Sequence, residues 1–188
     1  MNAKWIWFSI VAFVGLVLDQ VTKAWIRANI EYRDVGIEVI DGYFDIVHAQ
    51  NPGAALGILG TVPGARYIFV IFTIVAAVVI FNMQRQLKSG EKFLPVVLGL
   101  ILSGALGNAV DRIINEGGRV TDFLRVHTSG NPALETWLAN HWPYMSEYPS
   151  FNVADIALVV GVLLFIIHYL FLEEKEDAEA KPAGEKAG

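Results

Sequence analysis

Four runs of apolar residues, at about 5–26, 67–83, 93–114 and 151–172, dominate the chain and are separated by more polar intervals. Crossing about 30 Å of hydrocarbon takes roughly 20 helical residues, so the pattern predicts an α-helical membrane protein with four transmembrane helices. An even number of spans puts both termini on one side. Between the first two runs the period changes to two. Val35, Ile37 and Val39 alternate with polar neighbours, Asp41-Gly42 supplies a turn, and Phe44 and Ile46 resume the alternation. That predicts a small extracytoplasmic β-hairpin or sheet lying on the outer membrane face. Between the third and fourth runs, Gly117-Gly118 precede Trp137, Trp142, Tyr144 and Tyr148. This mixture suits the headgroup layer and fits a lid-like segment over a membrane-level site.

Composition agrees with a bilayer. With 54% hydrophobic and 18% charged residues and a mean hydropathy of +0.46, the 188-residue chain has too little polar surface to coat a soluble domain. The expected organisation is one integral-membrane domain, 1–172, followed by a charged, disordered tail, 173–188. Much of the net charge of -5 comes from Glu173-Glu174-Lys175-Glu176-Asp177 in that tail, and the acidic balance argues against nucleic acid as a partner. Arg85, Lys88 and Lys92 crowd the short interval after the second run. Such density marks a cytoplasmic loop and assigns both termini to the same compartment. Lys4 ahead of the first run imitates a signal peptide, but the run ends at Asp19-Gln20 without a small-x-small cleavage site, so an uncleaved anchor is expected.

The absence of cysteine excludes disulfides, thiolate metal sites and a Cys nucleophile. His48, His127, His141 and His168 are scattered and form no H-E-x-x-H run, so neither metal nor another cofactor is expected. What remains is a set of acids and amides at the margins of apolar spans. A charge at bilayer depth costs at least about 2.5 to 3.5 kcal/mol, which makes such residues functional candidates. In the third span Gly104, Asn108 and Asp111 recur at i, i+4, i+7 and share a face, with Arg112 on its flank. Gly104 permits close helix approach. Asn152 and Asp155 share a face at the start of the fourth span, and Asp155 has no basic residue within one helical turn. Asp19 and Lys23, four apart in the first span, have the spacing of a mutually neutralising pair.

If Asp122 and Asp155 converge, both cannot ionise cheaply, and one keeps its proton above the ordinary aspartate range. Identical groups then supply an acid and a base, one polarising an amide carbonyl while the other deprotonates water. Asn51, Asn108 and Asn152 are positioned in the sequence to orient such a dyad or to bind substrate backbone.

Five segments together resemble the lipoprotein signal peptidase (signal peptidase II) family: D-Q-V-T-K from Asp19, N-P-G-A-A from Asn51, G-A-L-G-N-A-V-D-R from Gly104, V-T-D-F around Asp122, and F-N-V-A-D from Phe151. They span most of the chain in the family's order. The resemblance implies a bacterial inner-membrane aspartyl endopeptidase that removes signal peptides from diacylglyceryl-modified prolipoproteins just before the lipidated cysteine. It implies a catalytic pair of Asp122 and Asp155, with Asn51, Gly53, Asn108, Arg112 and Asn152 around the site and Asp19, Lys23, Gly104 and Asp111 in support. Membrane lipids and the cyclic peptide globomycin would be further ligands, and a monomer is expected. The interval 123–150 is longer than the family pattern suggests, and the acidic tail is additional.

Other classes fit less well. A proton-coupled transporter also uses membrane-level acids, but no internal repeat divides the chain. A structural tetraspan protein leaves Asp155 without a reason. Serine peptidase chemistry would have to pair Ser103 with His168, which the helical pattern sets near the far end of its own span. The G-x-G-D signature of presenilin-like proteases is missing.

Overall fold

The computed structural model describes residues 2–53, 62, 64–142 and 149–172, with the side chains of 171 and 172 excepted. Helix α1 spans Ala3–Asn29, strands β1 and β2 span Ile37–Ile40 and Phe44–Asn51, and helices α2 and α3 span Ala65–Gln86 and Phe93–Ile114. Strand β3 covers Val120–Val126, helix α4 Pro132–His141, and helix α5 Val153–Ile167, which ends in a π-helical turn at His168–Leu172. Four helices, α1, α2, α3 and α5, are long and apolar enough to cross a membrane, as the hydropathy pattern predicts.

Helix α3 is the centre of the bundle. In its most apolar stretch 56% of residues are buried, against 11% in each of the other three, and it packs on α1, α2 and α5. Lipid tails are as apolar as leucine, so helices associate through close packing and polar contacts, which small residues permit. Gly104 meets this demand: a Cβ there would lie 2.4 Å from the Ala154 carbonyl oxygen and 2.8 Å from the Leu158 nitrogen of α5. On the outer helices Phe13, Ile71, Phe72 and Val159 are exposed, as lipid-facing side chains should be. One end of the bundle is closed by Lys4, whose Nζ donates to the carbonyls of Arg85 (2.9 Å) and Leu87 at the C-terminus of α2. Gln84 Nε2 in turn donates to the Lys4 carbonyl at 2.9 Å.

The three strands at the opposite end form one antiparallel sheet in the order β1-β2-β3. The expected hairpin is β1-β2, and its turn uses Gly42 at φ +74°. Strand β3 falls in the interval between the third and fourth runs, where the pattern predicts a lid-like segment and no strand. The physical signal was local: Val-Thr-Asp-Phe-Leu-Arg-Val is rich in β-branched and aromatic residues, the composition that suits a pleated, half-buried surface. Within the same interval Asn131 caps α4, its side chain accepting from the Leu134 nitrogen at 3.1 Å, with Pro132 at the first helical position. Helix α4 carries Trp137 and buries no residue. Tyr144 and Tyr148, the 173–188 tail, and Ala54 and Ala55 of the N-P-G-A-A segment lie outside the described residues.

Replacing Gly104 by Leu should force α5 off α3 and cost at least about 2 kcal/mol, in the range of overpacked cores. Reversible unfolding in mixed micelles measures this, and wild-type stability in Gly104→Leu would contradict the packing.

Candidate active site

The register of β2 on β3 begins the site. Ala49 pairs with Asp122 and Asn51 with Val120, so Asn51, two residues beyond Ala49, lies on the same sheet face as Asp122. The Asn51 side chain hydrogen-bonds the Asp122 carboxyl group, and its Oδ1 accepts the Gly53 N–H at 2.9 Å. Phe123 points the other way and packs on Ile26 of α1 and on Ile30 just beyond its end. The Phe123 face also lines an open apolar groove of about 290 Å³ with Val21, Trp25 and Ile46, so this groove is not where the acids meet.

Helix α5 delivers the second acid through its own cap. Asn152 Oδ1 accepts the Asp155 N–H at 3.0 Å, while Asp155 Oδ2 accepts the Asn152 N–H at 3.0 Å, a reciprocal capping box. Asn152 therefore caps the helix and Asp155 sits in its first turn, where the helix dipole favours a negative charge. The fully buried Asn152 amide also donates to Asp122 Oδ1 at 2.6 Å and to Asn108 Oδ1 at 3.1 Å. One asparagine thus holds both acids.

The amide of Asn108 has its direction dictated from below. Lys23 can only donate, and its Nζ lies 3.0 Å from Asn108 Oδ1, so Nδ2 must face outward, where it donates to Asp155 Oδ1 at 2.7 Å. Lys23 is itself completely buried, 2.9 Å from Asp19 and 3.4 Å from Asp111. The expected Asp19–Lys23 pair is consequently not closed on itself. Asp19 Oδ1 also accepts the Ala154 N–H at 3.0 Å, joining α1 to the start of α5. Asp111 Oδ2 accepts the Thr121 N–H at 2.8 Å, joining α3 to β3.

Asp111 and Arg112 diverge despite being neighbours. The Arg112 guanidinium donates to the Gly53 carbonyl at 3.0 Å and the Asn108 carbonyl at 3.1 Å, and covers the Phe69 ring at 4.5 Å. Among the described residues it makes no ion pair with a carboxylate, but it lies within electrostatic range of Asp155 and Asp122 and reaches the 51–53 turn directly.

Three participants escaped the sequence reading. Gln20 Nε2 donates to Asp19 Oδ2 at 2.9 Å and to the Gly107 carbonyl at 3.1 Å. Arg27 lies 3.4 Å from Asp111 and donates to the buried Thr121 Oγ1 at 3.1 Å. Arg27 follows Lys23 by four residues on the same helical face, which was a usable signal. Gln20 and Thr121 offered none without the fold. The serine alternative fails on geometry. Ser103 Oγ donates to the Leu100 carbonyl at 2.8 Å, and His168 packs on Phe93, ten residues and about 15 Å earlier along α3. Among the described residues no cluster of His, Asp or Glu could hold a metal.

Residues 11–171 match the family model described as Signal peptidase (SPase) II. The chain belongs to the signal peptidase II family. Lipoprotein signal peptidases from Symbiobacterium thermophilum and Geobacter metallireducens are 38% and 36% identical to it, over 90% and 92% of this chain and 97% and 95% of theirs. A solved structure described as a bacterial membrane enzyme superposes with a TM-score of 0.71 at 30% identity, covering 96% of this chain and 93% of that one. Signal peptidase II enzymes are aspartic peptidases that process lipoproteins, so this chain is a multi-pass bacterial membrane hydrolase acting on prolipoproteins.

Asp122 is only 3% exposed, and burial, followed by the nearby Asp155 charge, pushes its carboxyl up to about 7 from 3.8, although hydrogen bonds from Asn152 and Asn51 and the charge of Lys23 pull the other way. Between about pH 4 and 7 the folded chain therefore binds more protons than the unfolded one. Stability should fall as pH rises through that window, by an amount on the order of 4 kcal/mol, and level off above it. Asp122→Asn should remove this slope and be at least as stable as wild type at about pH 8. Unfolding midpoints across pH check this, and a wild-type slope in the variant would contradict it.

Proposed function

We propose that Asp122 and Asp155 are the catalytic dyad of this peptidase and that it cleaves diacylglyceryl-modified prolipoproteins just before the lipidated cysteine. The observation that carries the reading is the shared asparagine: Asn152 bonds the Asp122 carboxyl through its side chain and the Asp155 carboxyl through its backbone N–H. In the resting site the proton resides on Asp122. Asp122 is the more deeply buried of the two acids, and burial raises its carboxyl, whereas Asp155 accepts N–H donors from Asn108 and Asn152 at a helix start. Water between the two carboxyl groups is deprotonated by the anionic acid as it attacks the scissile carbonyl, while the protonated acid donates to the developing oxyanion. The pair then exchanges roles to protonate the leaving amine.

The surroundings suit a lipid-bearing peptide. Asn51 and the Gly53 carbonyl, tied back by Arg112, border the dyad from the sheet side and offer backbone-recognising groups to an extended chain. The dyad belongs to the sheet end of the bundle, opposite the interval containing Arg85, Lys88 and Lys92. With that basic interval in the cytoplasm, both termini are cytoplasmic and the dyad meets its peptide bond near the outer leaflet of the inner membrane. A substrate whose acyl chains stay in the bilayer avoids an extraction cost of roughly 0.8 kcal/mol per CH₂. Globomycin, a cyclic peptide, would occupy the same site.

Asp122→Asn and Asp155→Asn should each lower cleavage by at least about 100-fold while remaining folded, since each removes one arm of acid-base catalysis. A gel-shift assay on lipid-modified and unmodified precursor, run side by side, reads both the reaction and its lipid dependence. Normal turnover by either variant would rule out the dyad, and equal cleavage of unmodified precursor would rule out the lipid requirement. Ser103→Ala should retain activity.

A further inference from the structure

Two arginines at the sheet end of the bundle are absorbed by neither the fold nor the catalytic network. Arg66 lies in the first turn of α2, and Arg119 lies between the end of α3 and β3. Both lie against the Gly117-Gly118 turn. A Cβ on Gly118 would lie 2.6 Å from Arg66 Cβ and 2.7 Å from its Cδ, and one on Gly117 would lie 3.6 Å from Arg119 Nε. Both glycines have φ near +68°, and the absence of a side chain on Gly118 is what lets the Arg66 stem approach. The Arg66 stem and the Arg119 side chain are thereby brought to the same turn.

Among the described residues no ion pair involves Arg66 or Arg119, and neither Glu116 nor Asp122, each three residues from Arg119, forms one. Arg112, close by in sequence, is turned inward to the Gly53 carbonyl. The interval from 54 to 63, which leads into α2, contains no Asp or Glu at all. Arg66 is oriented by its neighbour: Nη2 donates to the Tyr67 hydroxyl at 2.7 Å, and the guanidinium lies 4.7 Å from that ring. The adjoining surface is apolar and outward-facing. Tyr67, Ile68, Ile71 and Phe72 on α2 and Ile113 and Ile114 on α3 are all exposed, at the same end of two adjacent membrane-spanning helices.

We propose that Arg66 and Arg119 form a binding site for the phosphate of an anionic phospholipid, whose acyl chains lie along the exposed α2–α3 surface. Arginine forks match phosphate oxygens, and two guanidinium groups without an ion pair among the described residues, beside lipid-facing isoleucines, recognise a phosphodiester carrying net negative charge better than a zwitterionic one. The site is separate from the acids and does not rest on their assignment. It would anchor the outer ends of α2 and α3 to the headgroup layer.

The test is native mass spectrometry of the full chain in neutral detergent, titrated with phosphatidylglycerol or phosphatidylcholine of identical chain length, or with inorganic phosphate. Wild type should prefer phosphatidylglycerol by about thirtyfold, near fivefold for each arginine. Arg66→Gln with Arg119→Gln should abolish that preference, and Arg66→Lys with Arg119→Lys, which keeps the charge and loses the fork, should restore only part of it. Should the double glutamine variant fail to fold, Arg119→Gln alone, at an exposed position, should still lower the preference about fivefold. Equal binding of both lipids by wild type, or full preference in Arg119→Gln, would overturn the site. Displacement of phosphatidylglycerol by inorganic phosphate at equal concentration would overturn its assignment to a lipid.

Discussion

The buried ammonium of Lys23 is the contact on which the rest depends. It has no exposure to solvent and sits between two equally buried carboxylates, Asp19 and Asp111. Desolvating three charges is costly, and removing one partner from a buried pair typically costs about 3 to 5 kcal/mol because the remainder is left uncompensated. The cluster persists because every charge is answered from a different element. Asp19 takes the Ala154 N–H of α5, Asp111 takes the Thr121 N–H of β3, and Lys23 itself reaches Asn108 of α3. Helix packing in lipid lacks a hydrophobic drive, and polar contacts of this kind set the register of α1, α3, α5 and the sheet.

Chemistry follows from that register. Because Lys23 can only donate, Asn108 has one permitted orientation, and its N–H is aimed at Asp155. The Asn152 amide is fixed in the same way by the Asp155 N–H, leaving its own donors for Asp122 and Asn108. A chain of oriented groups therefore runs from the bundle interior to the two acids. Such networks stiffen a site when every member is satisfied, and preorganised groups need little rearrangement as charge develops during reaction. Asp122, buried on the sheet, and Asp155, half-buried at a helix start, are chemically identical groups made unequal by their settings.

Much of this was legible in the sequence because a bilayer imposes strong rules. Four apolar runs gave the helices, and helical spacing grouped Gly104 with Asn108 and Asp111 and joined Asp19 to Lys23. The hairpin at Asp41-Gly42 was legible from period two and a turn dipeptide. Strand β3 was harder, because its polar and apolar residues do not alternate and the segment follows a glycine turn, so it resembles a loop until a partner strand is known. Asp122 lies there, so its motif was visible while the reason for its position, pairing opposite Ala49, was not. The Asn152 cap was readable in principle, since Asn followed by Asp three residues later is a helix-start signature. Contacts such as Arg27 with Thr121, or Arg112 with the Gly53 carbonyl, join residues dozens apart and depend on the assembled bundle.

The central claim is that two unequal carboxyl groups hold one proton up to about pH 7, with Asp122 as its resting site. Carboxyl-¹³C NMR of aspartate-labelled protein in detergent, with Asp122 assigned by substitution, reports that proton directly. The Asp122 resonance should titrate with a midpoint near 7, shifted to lower pH in Asp155→Asn, where the neighbouring charge is gone. A midpoint in the ordinary aspartate range near 4, unchanged by Asp155→Asn, would contradict the account.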